Sequence, residues 1–164
     1  MVAFWSSCIC ILAVLVLAAC AGEVDCGGSF ALDVGAADEL TVRSAAERFD
    51  AFAGTTTTIG ATGVCTITTR TPLTASRRGW ATAEWVGDEG EIRIDIPRIR
   101  AACDGQPDEC AQAFVMHELG HAYGLGHVEP FAGIMGEIIN PTLPQGRAFS
   151  EADRAECRRA GVCR

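Results

Sequence analysis

Histidine is almost missing from this chain, with three in 164 residues, and tyrosine is rarer still, with one. So few imidazoles leave room for one histidine-based metal centre and no second one. Net positive charge is missing too: the formal charge is -8 at pH 7. That sign argues against nucleic acid as a partner, because phosphate binding needs clustered Lys and Arg. It says nothing about fold. No C-x-x-C pair occurs among the nine cysteines, which disfavours a zinc-thiolate site. No repeat, low-complexity tract or long linker interrupts the part that follows the N-terminus. Charge is also absent from the first nineteen residues, MVAFWSSCICILAVLVLAA.

That uncharged start has the apolar core of an export signal. The run from Cys8 to Ala19 is too short to span a bilayer comfortably. Two cleavage readings compete. Leu17-Ala18-Ala19-Cys20 resembles the bacterial lipobox, in which Cys20 becomes the lipidated first residue. Ala19-Cys20-Ala21 also fits the small-x-small site of plain secretion. The lipobox is the fuller match, although no Lys or Arg precedes the apolar run. An uncleaved anchor from Val2 to Ala19 is the remaining alternative. The expected organisation is a lipoprotein-type signal over 1–19, a short tether over 20–27 and one folded domain over 28–164. The protein is then exported, either held at the cell envelope or secreted. Any membrane contact is through a lipid anchor. A length of 164 residues suits one such domain.

Cysteine usage agrees with export. Cys8 and Cys10 leave with the signal, and Cys20 is lipidated or removed. Six remain, an even number, which in a small exported domain suggests disulfides. Short loops favour Cys103 with Cys110 and Cys157 with Cys163, leaving Cys26 with Cys65.

Hydrophobic spacing gives a coarse order of elements. Ser29 to Val34 alternates as a half-buried strand does, with Phe30, Leu32 and Val34 on one face. Asp38 to Ala53 has helical spacing through Val42, Ala45, Ala46, Phe49 and Ala53, and Gly54 can stop it. Glu39, Arg43 and Glu47 stand four apart on its outer face. The Thr-rich run from Thr55 to Thr69, broken at Gly60 and Gly63, suggests two short strands. Trp80 to Val86 and Glu91 to Ile96 flank a Gly-Asp-Glu-Gly turn. Asp108 to Tyr123 reads as a helix capped by Asp108 and ended by Gly124. A last helix starts at Ser150, where Ser150 and Asp153 fit a capping box, and ends near Gly161. This is an α+β order with a mixed sheet.

All three histidines fall in HELGHAYGLGH, residues 117 to 127. On a helix, residues four apart share a face, so His117 and His121 can bind one metal ion. Glu118 lies beside them, close enough to reach a water at the metal but angled away from ligation. Gly124 can end the helix sharply and let the chain bring His127 back to the same point. Three imidazoles leave a fourth position open, as in a catalytic zinc site. Other transition metals also accept imidazole. Histidines merely capping or packing on a helix explain many bare H-E-x-x-H matches, but the extended pattern is far more specific.

The stretch resembles the metzincin zinc peptidases, and most closely the matrixins, the family of the matrix metalloproteinases. Met135 follows His127 at the spacing of the family's methionine turn. Alone it would read as an ordinary core methionine. Phe149-Ser150-Glu151-Ala152-Asp153 looks like the start of the matrixin C-terminal helix. The resemblance spans about residues 28 to 161, but only 117 to 135 is specific. It implies a metzincin-like domain with a twisted mixed β-sheet, an active-site helix, a Met-turn and a C-terminal helix.

Departures from the family are equally informative. No histidine is left for the structural zinc of matrixins, so one Zn2+ per chain is expected; Ca2+ is not readable. No cysteine-bearing prodomain is expected between Cys20 and the first strand. Cys103-Asp104-Gly105-Gln106-Pro107-Asp108 only faintly echoes the latency motif. Residue 128 is Val where matrixins tend to have Ser or Thr. No tyrosine follows Met135 closely.

What the resemblance implies is a monomeric zinc endopeptidase acting on peptide or protein substrates. His117, His121 and His127 are the expected metal ligands and Glu118 the general base. Substrate is expected to lie extended along a sheet edge, with the Trp80 to Val86 strand as candidate. Residues 136 to 147 are expected to wall the pocket for the first residue after the cut. Two other classes stay open: a zinc-binding surface module without turnover, and a metal hydrolase of a non-protein amide such as a cell-wall crosslink. Retention of Glu118 argues against the first, since metal binding alone needs no base.

Overall fold

The computed structural model describes residues 26–69, 81–86, 89–103, 105–137 and 147–163. The signal, Cys20, most of the tether, Trp80, the first two residues of the Gly-Asp-Glu-Gly turn and most of the 136–147 wall lie outside them. Among the described residues, five strands and four helices follow in the order β1 (Ser29–Asp33), α1 (Ala36–Ala53), β2 (Thr58–Gly60), β3 (Cys65–Thr68), β4 (Ala81–Val86), β5 (Glu89–Ile94), α2 (Ile96–Ala102), α3 (Pro107–Ala122) and α4 (Glu151–Arg159).

The strands form one mixed sheet in the order β2-β1-β3-β5-β4. β1 runs parallel to β2 and β3, and β3 parallel to β5. β4 pairs antiparallel with β5 and is one of the two edge strands among the described residues, β2 being the other. Register follows the apolar pattern: Leu32 stands opposite Ile67, and Ile67 opposite Ile92. Ile67 and Ile92 are fully buried, as is Phe30. A one-residue slip would turn that apolar row to solvent, which is why the pairing is specified.

α1 buries the stripe read from its spacing: Val42, Ala45, Ala46, Phe49 and Ala53. It packs against α3, and α3 also lies on α2, β4 and β5. Gly54 ends α1 with φ 72°, its N–H bonded to Asp50 O, a conformation glycine adopts without a Cβ penalty. On the exposed face Arg43 pairs with Glu39 at 2.8 Å. Below, Arg100 of α2 reaches Asp38 of α1 and Asp108 of α3, each at 2.8 Å, and so ties three helices together.

Three expectations need correction. Glu91 to Ile96 is not all strand: β5 stops at Ile94, and Ile96 opens helix α2. Asp95 accepts from Arg98 N as an N-cap, and Pro97 follows in the first turn, so local chemistry overrides the isoleucine alternation. At its other end β5 takes in Glu89 and Gly90, which pair with Val86 and Trp85, so the connection is two residues shorter than expected. Finally, Asp108 does not cap α3. The helix begins at Pro107 with Gln106 as N-cap, and Asp108 pairs with Arg100 instead.

The disulfides join Cys26–Cys65, Cys103–Cys110 and Cys157–Cys163, the expected pairings. Such bonds persist in oxidising, extracytoplasmic surroundings. Among the described residues, no helix is long and apolar enough to cross a membrane. The first disulfide fixes the start of the described chain to β3, and Cys26 N also donates to Ala122 O at the end of α3. The domain's first residues are thereby held against the helix that carries the histidines.

Candidate metal centre

α3 presents His117 and His121 one turn apart. The helix ends at Tyr123, and Gly124 turns the chain with φ 86°. Three residues later His127 arrives beside the other two. His121 Nε2 lies 3.0 Å from His117 Nε2 and 3.1 Å from His127 Nε2. The rings of His117 and His121 meet edge-on at 88°, and those of His121 and His127 at 86°. His121 thus meets both other rings edge-on, while His117 and His127 are tilted by 30° with centroids 5.3 Å apart.

Backbone carbonyls set this orientation. His117 Nδ1 is 2.7 Å from Ile134 O, and His121 Nδ1 is 2.9 Å from Leu125 O. A carbonyl only accepts, so Nδ1 of both rings carries the proton. Nε2 is then a bare lone pair on each ring. Neutral Nε2 atoms facing one another repel unless a cation sits among them. Tetrahedral zinc with Zn–N of about 2.0–2.1 Å spaces its ligand nitrogens about 3.3 Å apart. The two distances from His121 are within a few tenths of an ångström of that. The three histidines are therefore able to hold one metal ion together, and a second-partner hydrogen bond on each of two rings is the usual support for metal-ligating imidazole.

Burial reinforces the neutral state. His117 is held down at about 3, first by desolvation and then by His121. His121 is held at about 4, again mainly by desolvation, with His127 adding to it. His127 is also lowered by burial, against a small opposing pull from Glu137. Neutral imidazole is the form that binds metal.

Glu118 is 5% exposed. Burial alone raises it to about 8. The carboxyl is thus a stronger proton acceptor than an exposed glutamate, on the helix that carries His117 and His121. A bound cation would act in the opposite direction and lower it.

These shifts give opposing pH effects in the metal-free protein. Unfolded histidines take up protons near 6.5, whereas folded His117 and His121 refuse them down to about 3 and 4. The unfolded chain therefore binds more protons below pH 6.5, and folding weakens as pH falls there. Glu118 has the other sign. The folded protein keeps its proton up to about 8, while the unfolded chain loses it near 4.5. Well below pH 6.5 the histidines outweigh the one glutamate; well above it only the glutamate acts. Metal-free protein should be most stable near pH 6.5, and should lose stability on the alkaline side up to pH 8, by less than about 1.4 kcal/mol per pH unit. Urea unfolding in a chelator across pH 5 to 9 measures this. Stability that climbs between pH 6.5 and 8 would show Glu118 already ionised.

Under the histidines, Met135 is fully buried. The loop from His127 is pinched shut by Val128 N donating to Met135 O at 2.8 Å and Glu137 N to Val128 O at 3.4 Å. The methionine side chain presses on α3 at Gly120, where a Cβ would come within 2.9 Å of Met135 Cε and closer still to Sδ. Gly120 is what leaves room for the Met135 side chain against α3.

Neither a protein-family model nor a curated protein matches the chain. The centre is read from its own geometry.

Sequence reasoning did not find two acidic residues of α4. Asp153 is fully buried. Its Oδ1 accepts from Met135 N at 2.8 Å and its Oδ2 from Ile134 N at 3.1 Å. The same carboxylate closes the capping box with Ser150 N at 2.7 Å. Gly133 makes the approach possible, because a Cβ there would collide with this carboxylate. Asp153 showed in the sequence only as a helix cap; its hold on residues 134 and 135 left no local signal. Glu156, one turn on, accepts from Gly126 N at 2.7 Å.

Proposed function

We propose that this protein is a zinc endopeptidase of the metzincin type, with a matrixin-like catalytic domain. The observation that carries the reading is the convergence of three imidazoles, two of them on the helix that also buries Glu118. A pure binding site gains nothing from the carboxylate, whose burial costs free energy and which ligates nothing.

His117, His121 and His127 would hold the ion, one per chain. Zinc at such a site acts as a Lewis acid toward a carbonyl and makes water a nucleophile at neutral pH. Glu118 takes the proton from the attacking water and passes it to the departing amine. Its place on the same helix as two of the ligands, one residue after His117, suits that double role. β4, an edge strand among the described residues, lies against α3. An extended peptide adding to that edge would lie alongside the helix that carries Glu118. The disulfides fit an exported enzyme, at the envelope through Cys20 or free.

The test is to load the oxidised full-length protein with zinc, count the metal, and incubate it with a mixed peptide library. One zinc per chain is expected, with new peptide termini that disappear on chelation and return with zinc. Two tightly held ions would contradict a site built from three histidines. One zinc with no peptide cut would favour the binding module, or, if a cell-wall crosslink is opened instead, the non-protein amide hydrolase.

A further inference from the structure

The planar peptide between Leu125 and Gly126 has two polar ends. Its carbonyl accepts from His121 Nδ1 at 2.9 Å. Its N–H donates to Glu156 Oε1 at 2.7 Å. One rigid unit therefore connects a carboxylate on α4 to a histidine on α3. Glu156 is 9% exposed. Arg159 grips it from the solvent side, Nε to Oε2 at 2.6 Å and Nη2 to Oε1 at 2.5 Å. Both contacts hold the carboxylate aimed at Gly126. Gly126 has no Cβ, and one built there would meet Oε1 at 3.0 Å. The Cys157–Cys163 disulfide anchors the same turn of α4.

We infer that Glu156 is a positioning residue of the metal centre, orienting His121 through the 125–126 peptide. The inference rests on His121 being a metal ligand, not on peptide cleavage. Accepting at the N–H end makes the carbonyl end more negative, because hydrogen bonds in series polarise one another. A more negative Leu125 O holds the Nδ1 proton more firmly and leaves Nε2 the better donor. Geometry acts in the same direction: the chain from Gly124 to His127 is irregular, and the Glu156 bond pins it at its middle. His127 follows Gly126 directly, so its approach is fixed as well. Asp153 does the same for His117, since Met135 N and Ile134 O belong to one peptide. α4 thus serves two of the three histidines.

The test is zinc affinity by chelator competition, with the visible spectrum of the cobalt-substituted protein as a second readout. Outer partners of metal-ligating residues typically contribute about 10-fold to 100-fold in affinity. Glu156 acts through one intervening peptide, so Glu156→Ala should weaken zinc by about 10-fold, the low end of that range. Its cobalt bands should shift in energy or intensity. Glu156→Gln keeps an oxygen at the same reach and should bind zinc within about 3-fold of wild type. Glu156→Asp keeps the charge but falls short of Gly126, and should resemble Ala. Wild-type affinity and cobalt spectrum in Glu156→Ala would overturn the inference. So would an equal loss in Gln and Asp, which would point to charge or general stability rather than to this hydrogen bond. Should Glu156→Ala fail to fold, the Gln and Asp pair decides alone. None of these outcomes depends on turnover, so a protein that binds zinc but cuts nothing still tests it.

Discussion

Glu118→Ala should retain zinc and lose peptide cleavage by at least about 10^2 to 10^4-fold, the usual range for general acid-base catalysis. Glu118 shares none of the hydrogen bonds that set the histidine rings. Removing its side chain leaves the three nitrogens where they are. It also removes a carboxyl whose burial raises it to about 8, so the metal-free variant should be no less stable at pH 8 than wild type. His121→Ala is the contrasting variant. It deletes one of three ligands and should lose zinc and cleavage together. Zinc content by elemental analysis and turnover of one cleavable peptide, on all three proteins, separate the roles. A Glu118→Ala protein that cuts at near-normal rate has been assigned the wrong base.

Asp153→Ala should cost the fold about 3 kcal/mol or more, from two orphaned buried donors and a lost helix cap. The carboxylate accepts from Ile134 N, Met135 N, Ser150 N and Ser150 Oγ, at 3.1, 2.8, 2.7 and 2.9 Å. Alanine leaves the first two donors buried without an acceptor, and each orphaned group costs about 1–3 kcal/mol. It also opens the capping box of α4, worth about 1 kcal/mol. The 134–135 peptide is then free to rotate, so His117 loses the fixed carbonyl at its Nδ1. Zinc affinity should fall with stability. Urea unfolding of the metal-free protein and chelator competition read the two effects separately. A loss below about 1 kcal/mol would mean that water replaces the carboxylate at both donors.

Much of this could be read from residue order alone, because the relevant signals are local. His117 and His121 are one turn apart, Gly124 is a stop, and His127 is a few residues on. Ser150 and Asp153 announce their helix by spacing. The disulfide pairs followed from loop length. The α2 helix was hidden because Ile92, Ile94 and Ile96 alternate through its start, and the Asp95 cap beside Pro97 was the weaker signal. The roles of Asp153 and Glu156 were hidden for a different reason. They act on residues about 20 to 30 positions away, at |i−j| = 18 and 19 for Asp153 and 30 for Glu156. No periodicity links such partners. The same is true of Gly120, whose need to be glycine appears only once Met135 is underneath it.

The dependence of two histidines on α4 also has a meaning in time. A chain is made from its N-terminal end, and residues 117 to 127 emerge well before 151 to 159. Until α4 forms, Ile134 O and Leu125 O have no carboxylate behind their peptides, and the rings they steer are free to turn. The emerging polypeptide therefore carries its ligands early but completes their alignment late. Closure of the Cys157–Cys163 bond, which staples the end of α4, comes later still. For the proposed peptidase, that order would delay competence until nearly the whole domain has folded and can withstand such an activity.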